Sequence, residues 1–210
     1  MPRLTNRIVK AELVHPLVMR LLADEGPAAV SYRRIAAETG LTLSAVRNIW
    51  TTQDLLLQRG AAHARELLPL PSLHPRIDAD PDAVLREGIW RLLPLTEEQQ
   101  VAHRALESLR WAPQASSARR VLEAYDATAS LRIRALVDEV LWLREPEPRS
   151  SRSRTADQLR EAQQRPMTKG EFLMEAVRRG LADHLARTGG CATGAMVDEC
   201  MHAVDLRLLD

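Results

Sequence analysis

Apolar positions along this chain recur at three- and four-residue intervals, and no stretch keeps the strict alternation that a half-buried strand requires. The pattern predicts an all-α protein. A first helix is expected from about Asn6 to Ala23, with Ile8, Ala11, Val14, Val18, Leu21 and Leu22 along one face. Pro16 lies inside it and cannot donate to Glu12, which predicts a kink or a late start. Two short helices follow, Tyr32–Thr39 and Leu43–Trp50, and then a longer one, Gln53–Leu68. Beyond it the same reasoning gives Asp82–Leu93, Glu97–Trp111, Ala115–Leu143, Lys169–Arg187 and Ala192–Leu209. Four prolines fall within residues 69–81, which reads as a linker between a small head and a larger body. Residues 144–166 are charged and poor in large apolar side chains, and are expected to form a mobile loop. The expected organisation is a head over 1–52, a connecting helix over 53–68, the linker 69–81 and a helical body over 82–210.

The most informative stretch is Tyr32–Thr51, YRRIAAETGLTLSAVRNIWT. Two helices that cross at a short turn need a small residue at the crossing, and Ala36 supplies it. The turn needs a residue that tolerates positive φ, and Gly40 follows four positions on. The second helix needs a branched apolar residue facing back, and Val46 lies six further on. Ile35, Ile49 and Trp50 complete a miniature core, and Thr42 is placed to cap the second helix. This is the spacing of a helix-turn-helix unit, which presents the N-terminal half of its second helix to the DNA major groove.

Composition narrows the picture modestly. The 210 residues are 45% hydrophobic and 27% charged, enough for a sizeable core without staples. Aromatics are only 3%, so aliphatic side chains must fill most of that core. No apolar run approaches the ~18 residues of a membrane span, and the polar N-terminus does not read as a secretory signal. Two cysteines suit a reducing cytoplasm. Net charge is +1, but residues 1–50 hold seven Lys or Arg against four acids. A mildly basic head on a mildly acidic body is compatible with local contact to nucleic acid.

Taken together, the head resembles the TetR family of bacterial repressors. The features that carry the resemblance are Asp24-Glu25-Gly26, Val30-Ser31, Ile35-Ala36, Gly40-Leu41-Thr42, Trp50 and the run Thr51-Thr52-Gln53-Asp54-Leu55-Leu56. The likeness covers roughly the first 60 residues; the rest matches in helicity and length. Arg47 stands where the family usually has Tyr, Gln53 where it has Lys, and Pro16 is unusual. The resemblance implies a homodimeric repressor that binds a palindromic operator in double-stranded DNA and is released by a small-molecule effector. Phosphate positioning is assigned to Ser31, Tyr32, Arg33, Thr52 and Gln53. Base readout is assigned to Thr42, Leu43, Ser44, Arg47 and Asn48, where Asn favours adenine and Arg favours guanine by donor–acceptor geometry.

A head with so little net charge makes few phosphate contacts, which is a second reason to expect two heads on one duplex. The dimer interface is expected on Phe172, Leu173, Ala176, Val177 and Leu181 of one closing helix, and on Met196, Val197, Cys200, Met201, Val204 and Leu208 of the other. An effector pocket is expected from Trp90, Leu93, His103, Leu106, Glu107, Arg110, Trp111, Tyr125 and Trp142, where three tryptophans and a tyrosine concentrate. No nucleophile motif, dinucleotide fingerprint or phosphate loop is present, so no catalytic residue, enzyme activity or cofactor is expected. Cys200 and His202 are two apart and face different ways, so no metal site is expected there. The competing reading is an all-helical protein-interaction module that has lost specific DNA binding.

Overall fold

A computed structural model describes residues 2–70, 80–112, 115–144, 165–189 and 194–203, with side chains described except at 2–8, 142, 194 and 200–203. Among the described residues the protein is all-α, with nine α-helices and no strand. They are α1 (Pro2–Glu25), α2 (Tyr32–Thr39), α3 (Leu43–Ile49), α4 (Gln53–Leu67), α5 (Pro81–Trp90), α6 (Glu97–Glu107), α7 (Ser116–Arg144), α8 (Lys169–Thr188) and α9 (Gly194–Ala203). None is long and apolar enough to cross a membrane. Residues 71–79 of the proline-rich stretch and 145–164 of the expected loop lie outside the described residues.

Local chemistry sets the helix starts. The side chains of Ser31, Thr42, Thr52 and Asp80 each accept a backbone N–H of the helix they precede. Thr96 forms a full capping box with Gln99, whose Oε1 accepts from the Thr96 N–H at 3.2 Å. Each such cap contributes about 1 kcal/mol. The α1 helix runs through Pro16, starting before the proline and not after it. Helix α6 stops at Glu107, earlier than expected, because the N–H groups of Leu109, Arg110 and Ala112 each bond three residues back and tighten the chain into turns.

The chain divides into two compact units. The first comprises residues 1–68, 94–126 and 183–190. Here α1, α4 and α6 pack on one another. The core is Val14, Leu17, Val18, Leu21 and Leu22 from α1, Leu56, Leu57, Ala61 and Ala64 from α4, and Ala102, Ala105 and Leu106 from α6. Gly60 lets α4 approach α1 closely, for a Cβ there would lie 2.3 Å from Val18 Cγ1. Asp54 Oδ1 accepts the Ser117 N–H at 3.0 Å, tying the start of α4 to that of α7.

The second unit comprises residues 69–93, 127–182 and 191–210. Its core takes Leu85, Ile89, Leu92 and Leu93 around α5, Ala129, Ile133, Leu136, Val137 and Val140 from α7, Met174, Leu181 and Ala182 from α8, and Val197 from α9. Glu171 is fully buried and bound by Arg165, which also reaches Asp138 at 3.2 Å. Burial pushes the Glu171 carboxyl up, but Arg165 and the Thr168 N–H outweigh it and hold it below the ordinary range.

The aromatic that closes α3 is anchored on α1. Trp50 is buried and meets the His15 ring edge-on, centroids 5.8 Å apart. Burial, then the nearby His63 and Arg59, lower the pKa of His15 below its ordinary 6.5. The folded state therefore binds a proton at His15 less readily than the unfolded chain does. Its effect is nil well above pH 6.5, and stability falls as pH drops through that value, levelling off below the folded pKa. His15→Phe should flatten the dependence of unfolding free energy on pH between about 7 and 5. An unchanged slope in urea titrations across that range would remove His15 as its source.

Candidate nucleic-acid interface

Helices α2 and α3 are joined through Gly40, whose φ of 70° is the left-handed conformation that favours glycine. Thr39 Oγ1 donates to the Ile35 carbonyl and accepts from the Leu41 N–H, so the turn is bonded from within. Ile35, Val46 and Trp50 are buried and fix the two helices on each other and on α1. This packing leaves one side of α3 open. Thr42, Ser44, Arg47 and Asn48 are exposed, and Leu43 is half-buried. Thr42 Oγ1 and Ser44 Oγ lie 3.1 Å apart.

Tyr32 and Gln53, both assigned to phosphate contact, make contacts of their own within the first unit. The Tyr32 hydroxyl is buried and has no hydrogen-bond partner among the described residues, and desolvation raises its pKa. An oxygen enclosed in this way is not presented to a phosphate. The Tyr32 ring instead carries Arg47, whose guanidinium carbon lies 5.7 Å from the ring centroid. Gln53 Nε2 donates to the Val30 carbonyl at 2.8 Å, tying the start of α4 to the segment before α2. Ser31 and Thr52 cap α2 and α4, and Arg33 and Thr52 are exposed. Arg34 is engaged by both oxygens of Glu25, each at 2.6 Å, and by Glu38 at 2.7 Å. These bonds lower the Glu25 pKa and raise that of Arg34.

The expected effector residues divide between the units. Trp90 and Leu93 belong to the second, and His103, Leu106, Glu107, Arg110, Trp111 and Tyr125 to the first. Trp111 is 86% exposed, so it lines no pocket; the tight turns after α6 direct it outward. Leu93, Leu106 and Tyr125 are buried in the cores of their own units. The side chain of Trp142 lies outside the described residues. Within the second unit, Trp90 joins Ala83, Arg86, Glu87, Val197 and Asp198 around a mainly apolar cleft of about 320 Å³.

The remaining polar residues of the set converge within the first unit. His103, only 3% exposed, has Nε2 2.9 Å from Asp183 Oδ1. Glu107 follows one turn after His103, and Arg110 donates to both its oxygens, at 2.6 and 2.7 Å, and to Asp126 at 3.0 Å. The hydrogen bond with His103 lowers the Asp183 pKa, and the bonds to Glu107 raise that of Arg110. Asp183 lies 80 positions from His103, so no local spacing in the sequence points to the pair. The signal available was the pair His103 and Glu107, four apart on one helix face.

The expected interface divides as well. Phe172 is 65% exposed, Ala176 is exposed, and Leu173 and Val177 are half-buried along the same side of α8. Leu181 is only 4% exposed and Val197 fully buried, both inside the second unit's own core, so neither is available to a partner. Met196 is half-buried. The side chains of Cys200 and Met201, and all of Val204 and Leu208, lie outside the described residues. No known protein-family model matches the chain, and no curated protein is similar enough to be matched to it.

Proposed function

We propose that this protein is a homodimeric DNA-binding regulator of transcription, of the kind its head resembles in the TetR family: a repressor released by a small-molecule effector. The observation that carries the reading is the open side of α3. Thr42, Ser44, Arg47 and Asn48 stand exposed on a short helix held by Ile35, Val46 and a left-handed glycine turn. A seven-residue helix gains little from its own hydrogen bonds, so its order comes from that packing. A rigid base supporting polar, exposed donors is what groove readout needs. The cleft beside Trp90 is of the size that small ligands occupy.

Selection of bound duplexes from a random DNA pool tests the reading. The expected result is an enriched palindrome whose affinity falls steeply with salt, by about 0.9 in log affinity per log salt for each phosphate neutralised. No enrichment at low salt from a folded dimer would overturn it. The second reading, an interaction module without specific DNA binding, is favoured by the inward Tyr32 hydroxyl and the Val30-bound Gln53.

Dimerisation is assigned to the exposed side of α8. Phe172→Glu with Ala176→Glu places two charges on a face that is open in the single chain. The variant should fold and sediment as a monomer. A persisting dimer would move the interface elsewhere.

A further inference from the structure

We infer that His103, Glu107 and Asp183 form a binding site for a divalent transition-metal ion in the first unit. One ligand atom from each of the three lies within 4.8 Å of the others. One imidazole nitrogen and two carboxylates are a borderline-to-hard donor set, suited to Zn²⁺, Co²⁺, Ni²⁺ or Mn²⁺. Three protein ligands leave coordination positions for water or a further ligand.

The placement of the three groups is constrained. His103 and Glu107 are four apart on α6, so both project from one face. Asp183 comes from α8 and its Oδ1 lies 2.9 Å from Nε2 of His103. Glu107 is held by Arg110 through both oxygens, and Arg110 is itself held by Asp126. A carboxylate has about four lone-pair positions, so Glu107 can keep this clamp and still bind a cation. Ligating carboxylates are commonly supported this way by a second layer of hydrogen bonds. Arg110 lies between Glu107 and Asp126, and Arg187 also acts on Asp183, so a bound dication shares these carboxylates with two guanidinium groups.

The site sits on the helix that packs against α1 and α4. An ion bound here and not to the unfolded chain therefore stabilises the unit that includes the head. This inference does not depend on DNA binding, and its test does not use DNA.

The full chain, untagged and stripped with a chelator, should be titrated with Zn²⁺ and separately with Co²⁺ by calorimetry. One ion per chain and a raised melting temperature are expected, with the His103 ring resonances moving on addition of Zn²⁺. Asp183→Asn and Glu107→Gln keep side-chain size and should each weaken binding by about tenfold or more. Arg110→Lys, in the outer layer, should weaken it less. If His103→Gln fails to fold, the Asp183 and Glu107 variants, together with the ring resonances of the unaltered protein, still decide the matter. A folded protein that takes up neither ion overturns the inference. So does an affinity unchanged in both carboxamide variants.

Discussion

Gly60→Leu should be among the most destabilising single substitutions in this protein, lowering the unfolding free energy by several kcal/mol. A Cβ at position 60 would lie 2.3 Å from Val18 Cγ1 and 2.9 Å from Val18 Cβ. Val18 is completely buried, and its β-branched side chain has essentially one helical rotamer, so it cannot turn aside. Relief requires α1 and α4 to separate, which loosens a core shared with α6. Overpacking costs about 1–3 kcal/mol per residue and more where backbone must shift. Against a total stability of roughly 5–15 kcal/mol, a leucine here should leave a substantial unfolded population. Gly60→Ala should also destabilise, although alanine returns about 1 kcal/mol of helix propensity. Gly88→Ala makes the useful contrast. Its Cβ would meet both methyl carbons of the buried Leu136 at 2.5 Å and its Cγ at 3.0 Å, so relief needs that side chain to change its first torsion, which a leucine, unbranched at Cβ, does more readily than a valine. Urea denaturation should rank Gly88→Ala as milder than Gly60→Ala, and Val18→Ala should partly rescue Gly60→Ala in a double-mutant cycle. Wild-type stability for Gly60→Leu would contradict the close approach of α1 and α4.

The close approach at Gly60 also marks the limit of what periodicity can convey. The helices themselves were legible, because apolar spacing and caps are local. The spacing places a helix over Tyr32–Thr39, the bounds observed, and Thr42 caps α3 as expected; Thr52, expected at a phosphate, caps α4. Errors at helix ends came from tight turns, as after Glu107, where a good helix-forming composition runs on past the last helical bond. Which face of a helix meets its own core was less legible. Helix α8 carries apolar residues on two sides, and spacing alone joined Leu181 to Phe172 although one is buried and the other open. Pairings between distant segments left the weakest trace. Asp183 has no local feature that points to His103, and Arg110 has none that points to Asp126. In α2 and α3, the residue types of the open α3 face were legible, but not the stacking of Arg47 on the Tyr32 ring or the bond from Gln53 to the Val30 carbonyl.

Those side chains shape the second large effect, which rests on the DNA-binding reading. Arg47→Ala should remove about 1–3 kcal/mol per half-site if Arg47 pairs with a guanine edge. On a palindrome bound by a dimer that is roughly 2–6 kcal/mol, on the order of 30-fold to 10⁴-fold in affinity. The loss should fall on specific duplexes and spare most non-specific binding, because the base contact and not the phosphate contact is removed. Arg47→Lys should recover little, since lysine lacks the planar fork that both the guanine edge and the Tyr32 ring accept. Tyr32 separates positioning from direct contact. Tyr32→Phe keeps the ring beneath Arg47 and removes a buried hydroxyl that has no partner among the described residues, an enclosure that costs about 1–3 kcal/mol. It should therefore bind the selected operator as tightly as the natural chain and melt higher. Tyr32→Leu removes the ring and should weaken specific binding while leaving the salt dependence unchanged. If Tyr32→Phe instead weakened binding and reduced the salt slope, the hydroxyl would have to turn outward to a phosphate in the complex. Arg47 would then lose its support at the moment of readout, and the assignment of Tyr32 as its positioning residue would fall.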